Sequence, residues 1–295
     1  MSNLTVAIVA PGDMGHAVGR ALKEHGHTPI TCLAGRSERS RRLAEAGGFR
    51  DVDDMKTLVA EADIILSILP PASALDLARE TALAMTAMES FPPYVDCNAI
   101  SPSTAKAVGN EIAAIGAPFI DAGIIGLAPG NATPRFYVSG ADTTPIEALD
   151  GCGFSVVPSG DEPGQASAIK MCYAALTKGT WTLHTALLMA AKSLGVYEPL
   201  KAEFEHSQIA DLGRMEARVP FIPADSGRWI GEMEEIAATF REAGVTGGFH
   251  DGAAEVFRVL SRTPFADETR ESMDRSRGLD EAIAVYVQHL EIGEG

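Results

Sequence analysis

The chain of 295 residues is long enough for two domains, and its 46% hydrophobic and 22% charged residues are the composition of an ordinary globular protein. A formal net charge of −16 argues against non-specific binding to nucleic acid or to an anionic membrane, while leaving room for a local basic pocket. The opening MSNLTVAIVAPG carries no basic segment, and no apolar run of roughly 18 residues occurs. No secretory signal and no membrane span are therefore expected, and a cytoplasmic location is. The four cysteines, Cys32, Cys97, Cys152 and Cys172, lack CxxC spacing; buried free thiols are expected and a metal site is not.

Leu4 to Ala10 is an apolar, β-branched run that predicts a strand, and Met14 to His25 follows with Met14, Ala17, Val18, Ala21 and Leu22 at helical spacing. Between them, Ala10, Gly12, Asp13, Met14 and Gly15 lie in a turn where a dinucleotide-binding chain would read Gly-x-Gly-x-x-Gly. Gly12 has no Cβ, so a pyrophosphate can approach the backbone. Gly15 lets the helix pack closely on the strand, and the first N–H groups of the helix face the anion. Ala10 replaces the first glycine, which is tolerable while its φ stays negative. Ile30 to Leu33 predicts a second strand, and Ser37 to Ala46 a helix that stops before Gly47-Gly48. An acid about 20 residues beyond the turn would grip the ribose 2′-hydroxyl of NAD. From Gly26 to Ser37 there is none. Arg36 with Ser37, backed by Arg39, Arg41 or Arg42, could instead hold a 2′-phosphate through charge-assisted hydrogen bonds. NADP(H) is the expected cofactor, with NAD(H) as the alternative.

ADIILSILPP predicts a buried strand that Pro70-Pro71 must stop. YVDCNAISP predicts another, followed by Ser101 as N-cap and Pro102 at the first helical position. PFIDAGIIG and RFYVSG are two more short strands. This alternation predicts an α/β Rossmann domain over residues 1–164, a mostly parallel sheet with helices on both faces. Beyond Gly164 the pattern changes: residues 166–194 contain no proline, and their only charges are Lys170, Lys178 and Lys192. As one helix this stretch spans roughly 43 Å at about 1.5 Å per residue. It reads as a long interdomain helix opening an all-helical substrate and dimerisation domain over residues 165–295. It is too apolar for one small domain to cover, so a homodimer is expected.

In order and spacing these segments resemble the β-hydroxyacid dehydrogenases, the family that includes 6-phosphogluconate and 3-hydroxyisobutyrate dehydrogenases. GDMGHAVGRAL resembles the family's Gly-x-Met-Gly turn, and GRS at 35–37 the Asn-Arg-Thr that reads the NADP phosphate. SILPP at 67–71, with Leu69 and Pro70, resembles the strand and loop over the cofactor; VDCNAISPST, with Asn98, resembles the Asp-x-Ser-Thr-x-x-Pro segment. DAGIIG, with Gly123, Ile125 and Gly126, resembles the substrate loop Asp-Ala-Pro-Val-Ser-Gly-Gly. GQASAIKMCYAAL resembles the catalytic helix Gly-x-x-x-x-x-Lys-Leu-x-Asn-Asn, and GRWIGEMEEIAATFREAGVTGGFHDGAAEVF an uncharacterised C-terminal domain found on one branch of these proteins. The resemblance implies a Rossmann domain, a long helix and a dimerising helical domain. It also implies an active site in the cleft between domains and NAD(P)-dependent dehydrogenase or reductase activity on a small molecule.

By the resemblance, Lys170 aligns with the general acid/base lysine. A lone lysine on an apolar helix is desolvated, which lowers its pKa toward the working range. Its family partners have changed. The asparagine four residues on falls at Ala174, the loop serine at Ile125, the Ser-Thr pair at Asn98-Ala99, and the C-terminal Lys-Asp pair at Glu234-Glu235. The groups that clamp a small carboxylate are mostly absent, so a bulkier or less anionic substrate, even an imine, is compatible with the site. Gly123, Gly126 and Asn98 still offer backbone or amide contacts. Thr177 lies seven residues after Lys170 on almost the same helical face, with Tyr173 and Lys178 near it. Trp229, Glu232 and His250 lie in the family-like C-terminal segment, where they read as a core residue, a solvated or N-terminal helix charge and a turn residue. His250 is also a candidate to line the substrate site, because histidine titrates near neutrality. The resulting expectation is an NADP-preferring oxidoreductase acting at a hydroxyl or carbonyl carbon with Lys170 as acid/base. The alternatives are an imine reductase-like enzyme and a non-catalytic NADP-binding regulatory protein.

Overall fold

A run of apolar, β-branched residues starts the sheet at β1 (Thr5–Ile8). In the computed structural model, which describes residues 3–269 and 272–290, the chain forms two compact units, residues 1–173 and 174–295. The division falls inside the long helix, whereas the composition changes near Gly164.

The first unit carries β1, α1 (Asp13–Glu24), β2 (Thr28–Thr31), α2 (Glu38–Gly47), β3 (Arg50–Asp51), α3 (Met55–Glu61), β4 (Ile64–Ser67), α4 (Ala74–Met88), β5 (Tyr94–Asp96), α5 (Pro102–Ala113), β6 (Phe119–Ile125), β7 (Arg135–Ser139), α6 (Thr144–Glu147) and β8 (Ser155–Pro158). Its sheet has eight strands in the order β3-β2-β1-β4-β5-β6-β7-β8. All neighbours run parallel except β6 and β7. Side chains alternate across it. Val6, Ile8, Ile64, Leu66 and Val95 join one buried cluster with Val18 and Leu22 of α1. Ala7, Ile30, Ile65 and Tyr94 join another with Leu58, Leu77 and Val108 of α3, α4 and α5. The sheet is thus covered on both faces, as a parallel sheet requires. The chain winds outward in opposite directions from β1 and β4, which makes the carboxyl ends of these neighbours the topological switch point.

Local chemistry sets the boundaries. Ser37, Asp54 and Ser101 are side-chain N-caps of α2, α3 and α5, accepting from the N–H groups of Ser40, Thr57 and Thr104. Pro70 and Pro71 end the run from β4. β3 has two exposed residues, too few to carry an apolar pattern, and β8 alternates too weakly to be read from sequence.

The long helix α7 (Gln165–Ser193) begins in the first unit and continues into the second. There α8 (Tyr197–Ser207), α9 (Ile209–Arg218), α10 (Pro223–Glu242), α11 (Gly248–Leu260) and α12 (Leu279–Tyr286) follow. Among the described residues of this unit all regular structure is helical. Trp229 of α10 sits 5.5 Å, ring to ring, from both Trp181 of α7 and Phe257 of α11. No helix is long and apolar enough to cross a membrane among the described residues. Cys97 and Cys152 are buried free thiols, but Cys32 is half-buried and Cys172 is exposed on α7, against the expectation of uniform burial.

Candidate functional site

The turn after β1 leaves the sheet at the switch point. Gly12 is the N-cap of α1 and offers no side-chain acceptor to the first N–H groups of the helix, the groups that meet an anion in a dinucleotide-binding turn. A Cβ at Gly12 would meet nothing within 4 Å, which leaves the backbone open to a ligand. A Cβ at Gly15 would sit 2.5 Å from Ala10 O and 3.3 Å from Ile8 Cγ2, so glycine is what lets α1 lie against β1. The residues present therefore fit a pyrophosphate. Asp13 and Met14 occupy the first turn of the helix, and Asp13 Oδ1 accepts from Arg39 Nη2 at 2.5 Å.

That pair changes the reading of the arginines after β2. Arg39 is held by Asp13, and Arg41 donates to Leu33 O at 2.7 Å. These two are engaged with the protein rather than standing by as phosphate ligands. Arg36 is half-buried, and Arg42 and Ser37 are exposed. The Ser37 hydroxyl accepts from Ser40 N at 3.2 Å. Ser37 therefore begins α2 immediately after Arg36 in the chain, so a second helix N-terminus follows that residue.

At the ends of β4 and β5 lies a polar network that sequence reasoning did not find. Asn98, 2% exposed, accepts from Leu69 N at 2.7 Å and donates through Nδ2 to Ser67 Oγ at 2.8 Å and Asp96 Oδ2 at 2.9 Å. Its backbone N–H donates to Asp96 Oδ1 at 2.9 Å. The Asn98 amide was a candidate cofactor contact, but both its hydrogens are taken inside the protein. What it orders is the loop at Leu69 and Pro70. Asp96 is fully buried, and burial pushes its carboxyl up to about 7, with Asp121 adding to the rise and the Asn98 N–H bonds opposing it.

Asp121 on β6 is the register partner of Asp96 and is also fully buried. It accepts from Ser139 Oγ at 3.0 Å, Gly164 N at 2.8 Å, Ser167 N at 3.0 Å and Ser167 Oγ at 2.6 Å. Ser139 Oγ in turn accepts from Ala166 N at 3.0 Å. The first turn of α7 is thereby fastened to the sheet, satisfying N–H groups that a buried helix start would otherwise orphan. One signal in the sequence points to this network: a single carboxylate inside each of two otherwise apolar strands, YVDC and FIDAGII, must have partners to be buried.

Gly123, two residues past Asp121, carries α7 directly. A Cβ there would lie 2.8 Å from both Ala166 O and Lys170 Cβ. Lys170 is half-buried at this point. Asp96 ends β5 and pairs with Asp121, so Gly123 and Lys170 stand beyond the carboxyl end of β5, on the same edge of the sheet as the glycine turn. Ile125, half-buried, ends β6 opposite Arg135, and Gly126 turns the chain at φ +123° against Pro134. Tyr173 of the first unit is 49% exposed.

The remaining candidates belong to the second unit. The Thr177 hydroxyl donates to Ala174 O at 3.2 Å. Lys178 Nζ donates to Glu232 Oε1 at 2.8 Å and lies 5.3 Å from the centre of the Trp229 ring. Both side chains of the pair are 10% exposed, so Glu232 is a buried ion-pair partner and not the solvated charge expected. Trp229 is core, as expected. Glu234 pairs with Arg258. His250 belongs to the first turn of α11 and is buried, where a turn residue was expected. Its ring meets Phe240 edge-on at 4.4 Å, and a Cβ on Gly179 would lie 3.7 Å from its Cε1.

Residues 5–150 match the family described as the NAD-binding domain of 6-phosphogluconate dehydrogenase, and residues 191–260 match a domain of unknown function. An uncharacterised 28.5 kDa protein of Methanothermus fervidus is 26% identical over 205 residues, 70% of this chain and 78% of that one. A solved structure of a conserved protein of unknown function, similar to 3-hydroxyacid dehydrogenases, is 26% identical with a TM-score of 0.64, over 87% of this chain and 96% of the other. The fold is also that of 3-hydroxyisobutyrate dehydrogenase from Mycobacterium tuberculosis, at 18% identity and a TM-score of 0.66 over 96% of this chain and 99% of that one. With the glycine turn at the switch point, residues 5–150 belong to the family of NAD-binding domains of 6-phosphogluconate dehydrogenase, and the chain joins to them, at residues 191–260, the domain of unknown function.

Proposed function

We propose that the protein is an NADP-preferring oxidoreductase acting at a hydroxyl or carbonyl carbon of a small molecule, with Lys170 as general acid/base. When bound, the nicotinamide cofactor supplies or accepts hydride. The observation that carries this reading is the fastening of α7 at Asp121 and Gly123, which puts Lys170 on the sheet edge where the glycine turn opens. Gly12 and the first turn of α1 would hold the pyrophosphate, and the loop at Leu69 and Pro70 would cover the cofactor. Arg36, with the N-terminus of α2, would meet a 2′-phosphate. Lys170 would take the hydroxyl proton in oxidation or return it in reduction. Where the resembling family carries its carboxylate clamp this sequence has Ala174, Ile125 and Glu234-Glu235, which favours a substrate that is not a simple 3-hydroxy acid.

The test is a panel of hydroxy acids, alcohols, ketones, and ketones with amines, followed by NADP(H) absorbance. Turnover of at least one compound is expected. Binding of NADPH with no turnover across the panel would leave the regulatory reading instead, and turnover only of imines would reassign the substrate.

Tyr173, Leu176 and Leu183 of α7, and Leu194 just after its end, are 49%, 70%, 64% and 76% exposed, an apolar stripe. This supports a homodimer in which a second copy covers α7. Light scattering at micromolar concentration should report twice the chain mass.

A further inference from the structure

We infer that Asp96 is a positioning residue for the cofactor loop: it holds the Asn98 amide in the one orientation that secures the Leu69 N–H. This goes beyond the proposed function and rests on it only in taking the loop at Leu69 and Pro70 as the cofactor's cover.

The argument is one of donors and acceptors. Asn98 turns its Oδ1 to Leu69 N and its Nδ2 to Ser67 Oγ and Asp96 Oδ2, while its own backbone N–H meets Asp96 Oδ1. On the edge facing Asn98, Asp96 therefore accepts through both oxygens. A serine hydroxyl can donate or accept, so Ser67 does not select between the two amide orientations. Asp96 does. A carboxylate must face the NH2 group, which leaves the amide oxygen for Leu69. A protonated or amidated side chain that puts a donor on this edge faces NH2 with a donor of its own. The Asn98 amide then flips to offer its oxygen, and its NH2 turns onto the Leu69 N–H, donor against donor. The Leu69 amide loses its acceptor, and the chain that leads into Pro70 and Pro71 loses its tie to Asn98.

Which state Asp96 adopts is set by its surroundings. The ionisable groups against it are Asp121, across from it on β6, Tyr94 on its own strand and Cys97 just past that strand's end. β4 contributes the neutral Ser67. No cation faces it among these neighbours, so burial beside a second carboxyl holds its titration at about 7. The switch between the two amide orientations therefore falls in the neutral range, and the loop is tied when Asp96 is ionised.

The full chain without cofactor tests this by amide hydrogen exchange read by NMR, each rate referred to its intrinsic value. Protection of the Leu69 amide should fall at least about tenfold in Asp96→Asn, and in the wild type as pH drops from about 8 to about 6. The Cys97 amide, bonded to Ser67 O at 2.9 Å, should keep its protection and serves as the control. Equal Leu69 protection in both proteins and at both ends of the pH range overturns the inference. Should Asp96→Asn fail to fold, the wild-type pH series decides alone. NADH and NADPH affinities follow in parallel, because the 2′-phosphate of NADPH itself titrates near about 6. Both should weaken in the wild type through about pH 7, and the NADH profile of Asp96→Asn should be flat. A Leu69 amide that responds while neither affinity does supports Asp96 as the positioning residue and overturns the assignment of this loop to the cofactor.

Discussion

Asp96 and Asp121 in the first unit, and Lys178 and Glu232 in the second, are all nearly excluded from solvent, yet their partners differ in kind. The two aspartates are met by backbone N–H groups, an amide and hydroxyls, and each bond fixes a loop or a helix start. The lysine and glutamate are met by one another across α7 and α10, beside the Trp229 ring. A carboxylate that holds the backbone decides where neighbouring groups stand. An ion pair between two helices decides how well they pack. Removing the first kind should show in binding and turnover, and removing the second in stability.

The sharpest way to break this contrast is at Lys170, which depends on the first kind of anchor. Lys170→Met keeps much of the volume and removes the proton carrier. Once a substrate is found, kcat should fall by about 10²–10⁴-fold, with NADPH affinity and the unfolding midpoint nearly unchanged. An unchanged kcat would make Lys170 structural and return Tyr173, Lys178 and His250 as the next groups to test.

The second unit should behave in the opposite way. Glu232→Ala leaves the buried Lys178 ammonium without its partner, a loss of about 3–5 kcal/mol by denaturant unfolding. The double variant Lys178→Met, Glu232→Leu should regain most of that loss, because two well-packed apolar side chains need no mutual charge. If the single variant unfolds like the wild type, water reaches this pair and the contrast between the units fails.

What the sequence reveals follows the same division. The glycine turn, the strands that flank it and the long helix are legible because each rests on a local pattern: periodicity, a cap, a proline stop. The roles of Gly12 and Gly15 follow from a strand that runs straight into a helix. The network of Asp96 and Asp121 is not legible in that way. Leu69 lies 29 residues from Asn98, Gly164 lies 43 from Asp121, and Glu232 lies 54 from Lys178. Only the folded sheet and helices bring them together. Glu232 reads as solvated because nothing near it in the chain announces the lysine. Arg39 reads as a phosphate ligand because Asp13, its partner, lies on the other side of a whole strand.

A smaller effect separates Arg36 from its neighbours. Arg39 and Arg41 are engaged with Asp13 and Leu33, so a 2′-phosphate should depend mainly on Arg36. Arg36→Ala should weaken NADPH by about 1–3 kcal/mol in direct titration and leave NADH nearly unchanged. Equal affinities of the wild type for NADPH and NADH would remove the basis for NADP preference.

The smallest effect is a pH dependence in which the two units pull in opposite directions. Burial holds the His250 imidazole below its ordinary 6.5, with Asp251 opposing, and His184 on α7 is lowered for the same first reason. Below 6.5 the unfolded chain binds protons that the folded second unit does not accept. The stability tied to His250 is therefore complete above about 6.5 and is lost as pH falls through the lowered value. Asp96 has the other sign. Its carboxyl rises from 3.8 to about 7, so the folded first unit holds a proton that the unfolded chain has released. Its cost grows as pH rises across that window and is complete above it. A single melting curve mixes the two, so the comparison has to be made between variants. His250→Phe keeps a ring beside Phe240 and removes the titration. The drop in unfolding midpoint between about pH 7.5 and pH 5 should be smaller in this variant than in the wild type. An equal drop in both proteins would mean that His250 takes up its proton without disturbing the packing of α11, and that its burial is not what the acid limb of stability reports.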